Sequence, residues 1–443
     1  MQHDVVVIGA GPSGLAAARD LVASGRDVVV LEARDRVGGR TWTVPLNDTE
    51  VDLGGQWVGP TQHHLLGLID EFGLATSPTP TAGLNVLVLG NAQHAYSGTI
   101  PRISVLALAQ MQRSLWALDR RAKRIEWSAA RTPDEERWDA VSFADWMHDR
   151  RTRPDVDVIM RTAMRVVFGL EAEQIPLLRL LQYVRAAGGV MPLVDTPDGA
   201  QDSRIVGGAQ RLSQRMADEL GHRVRLDAAV KRIDAKVDGV EVTLHDGETL
   251  TAGDLVVAIP PNRAAAITWL PALPPKRRKW IDGHQMGQTL KTQILYDQNF
   301  WNAAGRSGEV VWADGPLDVC FDNTTGNGTP CLVVFATGDR GHRLGAMSED
   351  ERRALVLSSL ASVLGDAARH PTGYIDCDWS TEVHSGGCPV ATLGLATASP
   401  GFDPTARDGR IVWAGTETST VWRGYIDGAI AAGRRAATQI LTG

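Results

Sequence analysis

An apolar run, Val5-Val6-Val7-Ile8, breaks into Gly9-Ala10-Gly11-Pro12-Ser13-Gly14, and a helix-compatible stretch follows from residue 15 to about residue 24. Residues 27–31 form a second apolar run that ends on Glu32. Strand, glycine turn, helix, strand and acid in this order restrict the fold strongly. Gly9 permits the tight turn, Gly11 lets the backbone approach a pyrophosphate, and Gly14 lets the helix pack on the strand. The helix N-terminus then faces the phosphate charge. Glu32 stands eighteen residues beyond Gly14, where a carboxylate can take both ribose hydroxyls. The unit is therefore a dinucleotide site.

A second glycine device follows at once. Asp35-Arg36-Val37-Gly38-Gly39-Arg40 brings a flexible turn and a fixed positive charge toward the same pyrophosphate. Nicotinamide enzymes do not usually need it, so it favours FAD over NAD. Residues 32–40 resemble the extended FAD fingerprint of the flavin amine oxidase superfamily.

The remaining composition excludes more than it assigns. The chain has 443 residues, enough for two or three structural domains, and a net charge of −7, which leaves no electrostatic footprint for nucleic acid. The one basic run, Lys276-Arg277-Arg278-Lys279, follows a proline pair and reads as a solvated helix start. Cys320, Cys331, Cys377 and Cys388 form no C-x-x-C pair, so neither a zinc site nor a disulfide framework is expected. His63-His64 has no carboxylates at metal spacing, and no metal is expected. A strand expected from about Asp4 leaves no signal peptide to be expected before it, no run of about 18 apolar residues occurs, and the expected compartment is the cytoplasm.

Along the chain, a helix is expected over 61–72, a mostly helical region over 82–204, and a further helix from Gly207-Gly208 to Leu220. Strands are expected at 223–226, 230–235, 240–244 and 254–259, with Asp246-Gly247 as a hairpin turn. Strands dominate 288–388 apart from a helix at 348–364. Residues 409–443 read as strand, glycine turn and long alanine-rich helix. The expected fold is α/β, a Rossmann-like FAD-binding domain interleaved with an α+β substrate-binding domain. The FAD domain would take 1–80, 205–285 and 389–443, and the substrate domain 81–204 and 286–388.

The C-terminal unit, Ala414-Gly415-Thr416-Glu417 and then Trp422-Arg423-Gly424-Tyr425-Ile426-Asp427-Gly428, is the second strong signal. With the N-terminus, residues 53–62, Gly207-Gly208, Ala258-Ile259-Pro260-Pro261 and Ser385-Gly386-Gly387-Cys388, it is similar to the flavin monoamine oxidase family over nearly the whole chain. That resemblance implies an FAD-dependent amine oxidase. A primary or secondary amine would pass a hydride to flavin N5, giving an imine or aldehyde, and O2 would be reduced to H2O2. It implies FAD contacts from Ser13, Glu32, Arg40, Val230 and Glu417, and places Gly54, Gly55, Gln56, Trp57, Cys388, Gly415 and Ile426 against the cofactor. Lys291 matches the lysine that holds a water against N5, and Tyr425 one wall of an aromatic cage before the flavin. The other wall usually follows the glycine-glycine-cysteine element, where this chain has Pro389; Trp379 is then the expected substitute. Cys388 occupies the slot that in some relatives bonds covalently to the flavin. A thioether and a small buried thiol both stay open.

Trp57 stands where amino-acid oxidases of the superfamily place an arginine for a substrate carboxylate, so the resemblance implies an amine without one. Gln201, Val166 and Val167 would line the pocket, with Val194 and Phe321 at its gate. Glu171 and Asp195 are acids that could approach its mouth. Membrane-bound relatives carry a C-terminal anchor helix; this chain has fifteen residues after Gly428 and is expected to be soluble, with a homodimer left open. Two other readings remain: a flavin dehydrogenase or desaturase of a biosynthetic intermediate with another acceptor, and an inactive flavin-binding partner protein.

Overall fold

A computed structural model describes residues 2–101, 103–128, 130–324, 326–397 and 399–443. Its organising element is the strand Gln2–Ile8, paired in parallel with Val28–Leu31 on one side and Thr249–Val257 on the other. The helix Pro12–Ala23 crosses between the first two. Val28–Leu31 is buried on both faces, as the central strand of a parallel unit must be. The eight-stranded sheet runs Val224–Arg225, Val28–Leu31, Gln2–Ile8, Thr249–Val257, Val240–Leu244, Val230–Ala235, Thr268–Leu270. Its eighth strand, Ile411–Trp413, pairs in parallel with Leu255, Val256 and Val257. The edge of Thr249–Val257 is thus forked. Its first half pairs antiparallel with Val240–Leu244, and its second half takes a strand from the C-terminus.

One core of alanine, valine and leucine lies under the helices on one face of this sheet, and another, including Trp269, Trp280 and Trp413, on the opposite face. A seven-stranded sheet forms the second body of structure, in the order Gly373–Asp378, Thr289–Leu295, Cys331–Thr337, Val319–Asp322, Arg306–Trp312, Leu84–Leu89, Ala92–Tyr96. The helix Glu349–Leu364 packs on it, started by a capping box between Ser348 and Glu351. Helices between Val105 and Val194 form a separate apolar cluster. Among the described residues, no helix is long and apolar enough to cross a membrane.

Two expectations need correction. The region 82–204 is not helical from its start: Leu84–Leu89 and Ala92–Tyr96 form a hairpin on the edge of the second sheet. Its apolar run fits either period, and parallel pairing with Arg306–Trp312 decides for strand. The basic run is not wholly solvated either. Lys276, Arg278 and Lys279 are exposed, but Arg277 is fully buried. Its Nε donates to Asp408 at 2.7 Å, and its guanidinium lies 4.5 Å from the Trp413 ring centre and 4.7 Å from that of Phe402. The expected hairpin at Asp246-Gly247 is present, closed by Leu244 N donating to Glu248 O.

Candidate active site

A cavity of about 640 Å³ starts at the first glycine turn and ends among aromatic rings. At the turn, Gly9 has φ +98°, and a Cβ there would lie 2.9 Å from the Ala258 carbonyl. Gly14 is off the cavity wall. A Cβ on it would come within 1.9 Å of Gly9 O, so its role is to seat the helix. Gly11, Ser13, Glu32 and Val230 are on the wall. Glu32 is buried and accepts from Ala10 N at 2.7 Å and Arg34 N at 3.1 Å, which holds the carboxylate at the strand end.

The C-terminal unit closes onto this turn. Gly415 N donates to Ser13 Oγ at 2.9 Å. Arg40 pairs with Glu417 at 2.8 Å and donates to Pro389 O at 2.8 Å, tying three distant segments together. Glu417 is buried, and its Oε2 has no partner in the protein although it stands on the cavity wall. A buried carboxylate oxygen left unmatched is costly, so the site suits a ligand with hydroxyl donors here. A ribityl chain or ribose supplies them, and the residues present therefore fit FAD. Gly54, Gly55, Gln56, Gly415 and Ile426, the first residue of the helix Ile426–Thr442, share the same wall.

Lys291 lies in Thr289–Leu295, a strand whose seven residues are all buried. Its Nζ donates to Gly54 O at 2.8 Å and to Gln56 Oε1. Gln56 is fixed in turn by Gln293 and by Asn323, to which its Nε2 donates at 2.7 Å. Burial lowers the Lys291 amine to about 8, opposed by the nearby Asp52 charge. An ammonium has three donors, and two are used within the protein.

The aromatic end is built by Trp57, Phe321, Phe335, Tyr183 and Tyr425, with Val166, Val167 and Gln201. Trp57 meets Phe321 edge-on at 5.4 Å and Phe335 at 5.7 Å. Trp57 Nε1 and Gln201 Oε1 are buried without partners. Tyr425 sits 5.9 Å from Tyr183 and 5.0 Å from Trp422. Trp379 touches the cavity, but its ring packs against Trp42 at 6.5 Å and its Nε1 donates to Leu53 O. Tyr183, in direct ring contact with Tyr425, and Phe335 also line the cavity, and neither was among the residues expected from the sequence. Val194 is not on the cavity wall; it packs against the helical cluster. Glu171 pairs with Arg165 at 3.0 Å, Asp195 bonds Thr99, and neither reaches the cavity. Cys388 and Pro389 are both on the wall. Burial pushes the Cys388 thiol up to about 11, against the pull of Arg40 and Lys291. Among the described residues no cluster of metal-ligating side chains occurs.

A dinucleotide sheet that opens onto a buried lysine and an aromatic cavity defines a flavin oxidoreductase. The chain belongs to the family of flavin containing amine oxidoreductases, whose family model matches residues 12–441. AofH of Mycobacterium tuberculosis, provisionally named a flavin-containing monoamine oxidase, is 38% identical over 99% of this chain and 96% of its own. A putrescine oxidase solved with bound putrescine superposes with a TM-score of 0.94, at 30% identity over 100% of both chains. Cyclohexylamine oxidase from Brevibacterium oxydans superposes equally well, at 30% identity over 99% of both. The protein is a flavin-containing amine oxidase with FAD as its cofactor, and its fold is the mixed α/β fold of that family.

Proposed function

We propose that this enzyme oxidises a primary or secondary amine with an apolar or aryl tail, using oxygen as the acceptor. The carrying observation is the distribution of charge. Glu32 and Glu417 are the carboxylates on the cavity wall among the described residues. The first is held by Ala10 and Arg34 at the dinucleotide end, and the second is paired with Arg40. Among the described residues the one carboxylate whose charge reaches the aromatic end is Glu417, already neutralised by Arg40, so the second ammonium of a diamine would lose its hydration without full replacement. Arg40, whose charge reaches Tyr183, is likewise taken up by Glu417, which leaves a substrate carboxylate unmatched.

FAD would supply the two-electron redox chemistry that links oxidation of the amine α-carbon to reduction of oxygen. The chain does the rest. Glu32 and the glycine turn would hold the adenosine half, and Arg40 with Glu417 the central part. Tyr425, buttressed by Tyr183 at 5.9 Å, would present its ring to a neutral amine and orient its α-carbon. Lys291, with one N–H free of protein partners, would hold a water and fixed positive charge beside the redox centre. Trp57, Val166, Val167, Gln201, Phe321 and Phe335 would exclude bulk water from the tail.

The test is anaerobic reduction of the flavin by benzylamine, cyclohexylamine and putrescine, followed by admission of air. The expected result is bleaching at least about tenfold more efficient with the first two than with putrescine, the cost of an unmatched charge, with peroxide formed on reoxidation. Equal or better efficiency with putrescine overturns the substrate assignment. Fast bleaching with no return in air overturns oxygen as acceptor.

A further inference from the structure

Behind the Tyr183 wall lies a second cavity of about 250 Å³, which shares Tyr183 and Glu417 with the first. Four arginines line it: Arg131, Arg179, Arg423 and Arg435. They have one carboxylate between them. Arg131 and Arg179 both reach Asp139, at 3.3 and 3.2 Å. Arg179 Nη1 donates to Gln182, and its Nε is buried with no partner, in a side chain nine-tenths buried.

Arg423 and Arg435 have only neutral partners. Arg423 Nε donates to Ser419 O at 2.9 Å, its Nη1 meets Gln182 Oε1 at 3.4 Å, and its guanidinium stacks 5.0 Å from the Trp127 ring centre. Arg435 donates to Trp413 O, Thr418 Oγ1 and Gln439 Oε1 at 2.7, 2.8 and 3.0 Å. Among the described residues no carboxylate is within ion-pair distance of either. The acids on the same wall make no ion pair with either, although the charge of Glu417 reaches Arg423 and that of Asp403 reaches Arg435. Glu417 pairs with Arg40, Glu135 caps its own helix at Thr132, Asp403 accepts from Thr405 N, and Glu126 is exposed.

Guanidinium groups gathered around a poorly solvated space with neutral partners are a mismatch unless an anion fills it. Burial lowers Arg179 to about 9 and Arg423 and Arg435 to about 10, and the charges of Asp139, Glu417 and Asp403 oppose this without cancelling it. We propose that this second cavity is a binding site for a small oxyanion, held by Arg179, Arg423 and Arg435. The planar fork of arginine matches two oxygens at once, so phosphate and a short dicarboxylate present the same chemistry. The site does not depend on which amine is oxidised next door.

The experiment is calorimetric titration of the flavin-loaded protein with inorganic phosphate and, separately, with succinate, at constant ionic strength set with chloride. The expected result is one saturable site per chain for at least one of the two probes, and which probe binds tells phosphate from carboxylate. Arg423→Gln and Arg435→Gln should each weaken it about tenfold or more, the loss of one charge-assisted bond. Both replacements leave no orphaned carboxylate, and an unchanged flavin spectrum shows that they fold. If either variant sheds its flavin, arginine-directed modification of the parent by phenylglyoxal, mapped by peptide mass, replaces it. The bound anion should then shield Arg423. Absence of binding by both probes, binding unchanged in both variants, or an unshielded Arg423 overturns the proposal.

Discussion

Lys291 has the most exposed consequences of any single residue, because burial has moved its titration into an accessible range. The charged form is lost as pH rises through about 8, not 10.5. If the ammonium assists oxygen, the rate at which air restores the oxidised absorbance should fall above pH 8 in the parent enzyme. In Lys291→Met it should be slower by about tenfold or more and flat with pH, while anaerobic reduction by amine changes little. Stopped-flow measurement of both half-reactions decides this, and an unchanged reoxidation rate removes Lys291 from the role. Tyr183 makes a second case. Tyr183→Ala should lower kcat/KM for an apolar amine by about tenfold, because Tyr425 loses the ring packed against it, while Tyr183→Phe keeps most of it; equal losses would mean that the hydroxyl matters and the ring does not. Tyr183 was illegible in the sequence for a physical reason. It lies on the helix Leu177–Ala187, which is buried on nearly every side, so it reads as one more core residue. The clue was its hydroxyl, since a tyrosine deep in an apolar helix needs somewhere polar to point. Gly9, Gly14 and Glu32 were legible because their spacing carries the geometry within one local unit.

At the scale of elements, the helix Pro275–Asp282 shows how tertiary context overrides composition. A run of four basic residues reads as a solvated face, yet its second member is sealed between Trp280, Phe402 and Trp413 and paired with Asp408. Arg277→Met should cost about 3 kcal/mol of stability, since it strands a carboxylate, and the double variant Arg277→Met/Asp408→Asn should recover part of that loss. Urea unfolding followed by circular dichroism measures both, and a double variant no better than the single one refutes the account. The hairpin Leu84–Leu89 and Ala92–Tyr96 failed for the converse reason. Gly90-Asn91 after the apolar run Leu84–Leu89 is a turn signal, but that run fits either period, and only the neighbouring strand Arg306–Trp312 selects one.

For the whole molecule, the forked edge of Thr249–Val257 matters most. One strand holds the N-terminal strand on one side, and on the other the antiparallel strand Val240–Leu244 and the C-terminal strand Ile411–Trp413. Helices Pro12–Ala23 and Ile426–Thr442 pack together over the same sheet. We propose on this basis that 1–80, 205–285 and 389–443 act as one FAD-binding body, with 81–204 and 286–388 as the other. The two are stitched: Ser203–Ile205 pairs with both Trp57–Val58 and Thr76–Pro78, and His284–Met286 pairs with Ala391–Leu393. The cavity draws its wall from all of these segments, so a bound cofactor favours the folded state of each. Flavin release and loss of secondary structure should then coincide. On heating the flavin-loaded enzyme, the rise in flavin fluorescence and the fall in far-ultraviolet circular dichroism should share one midpoint, within about 2 °C, and shift together when saturating inhibitor amine is added. Flavin released well before the dichroism changes would mean that the cofactor site opens alone and that the three segments do not act as one body.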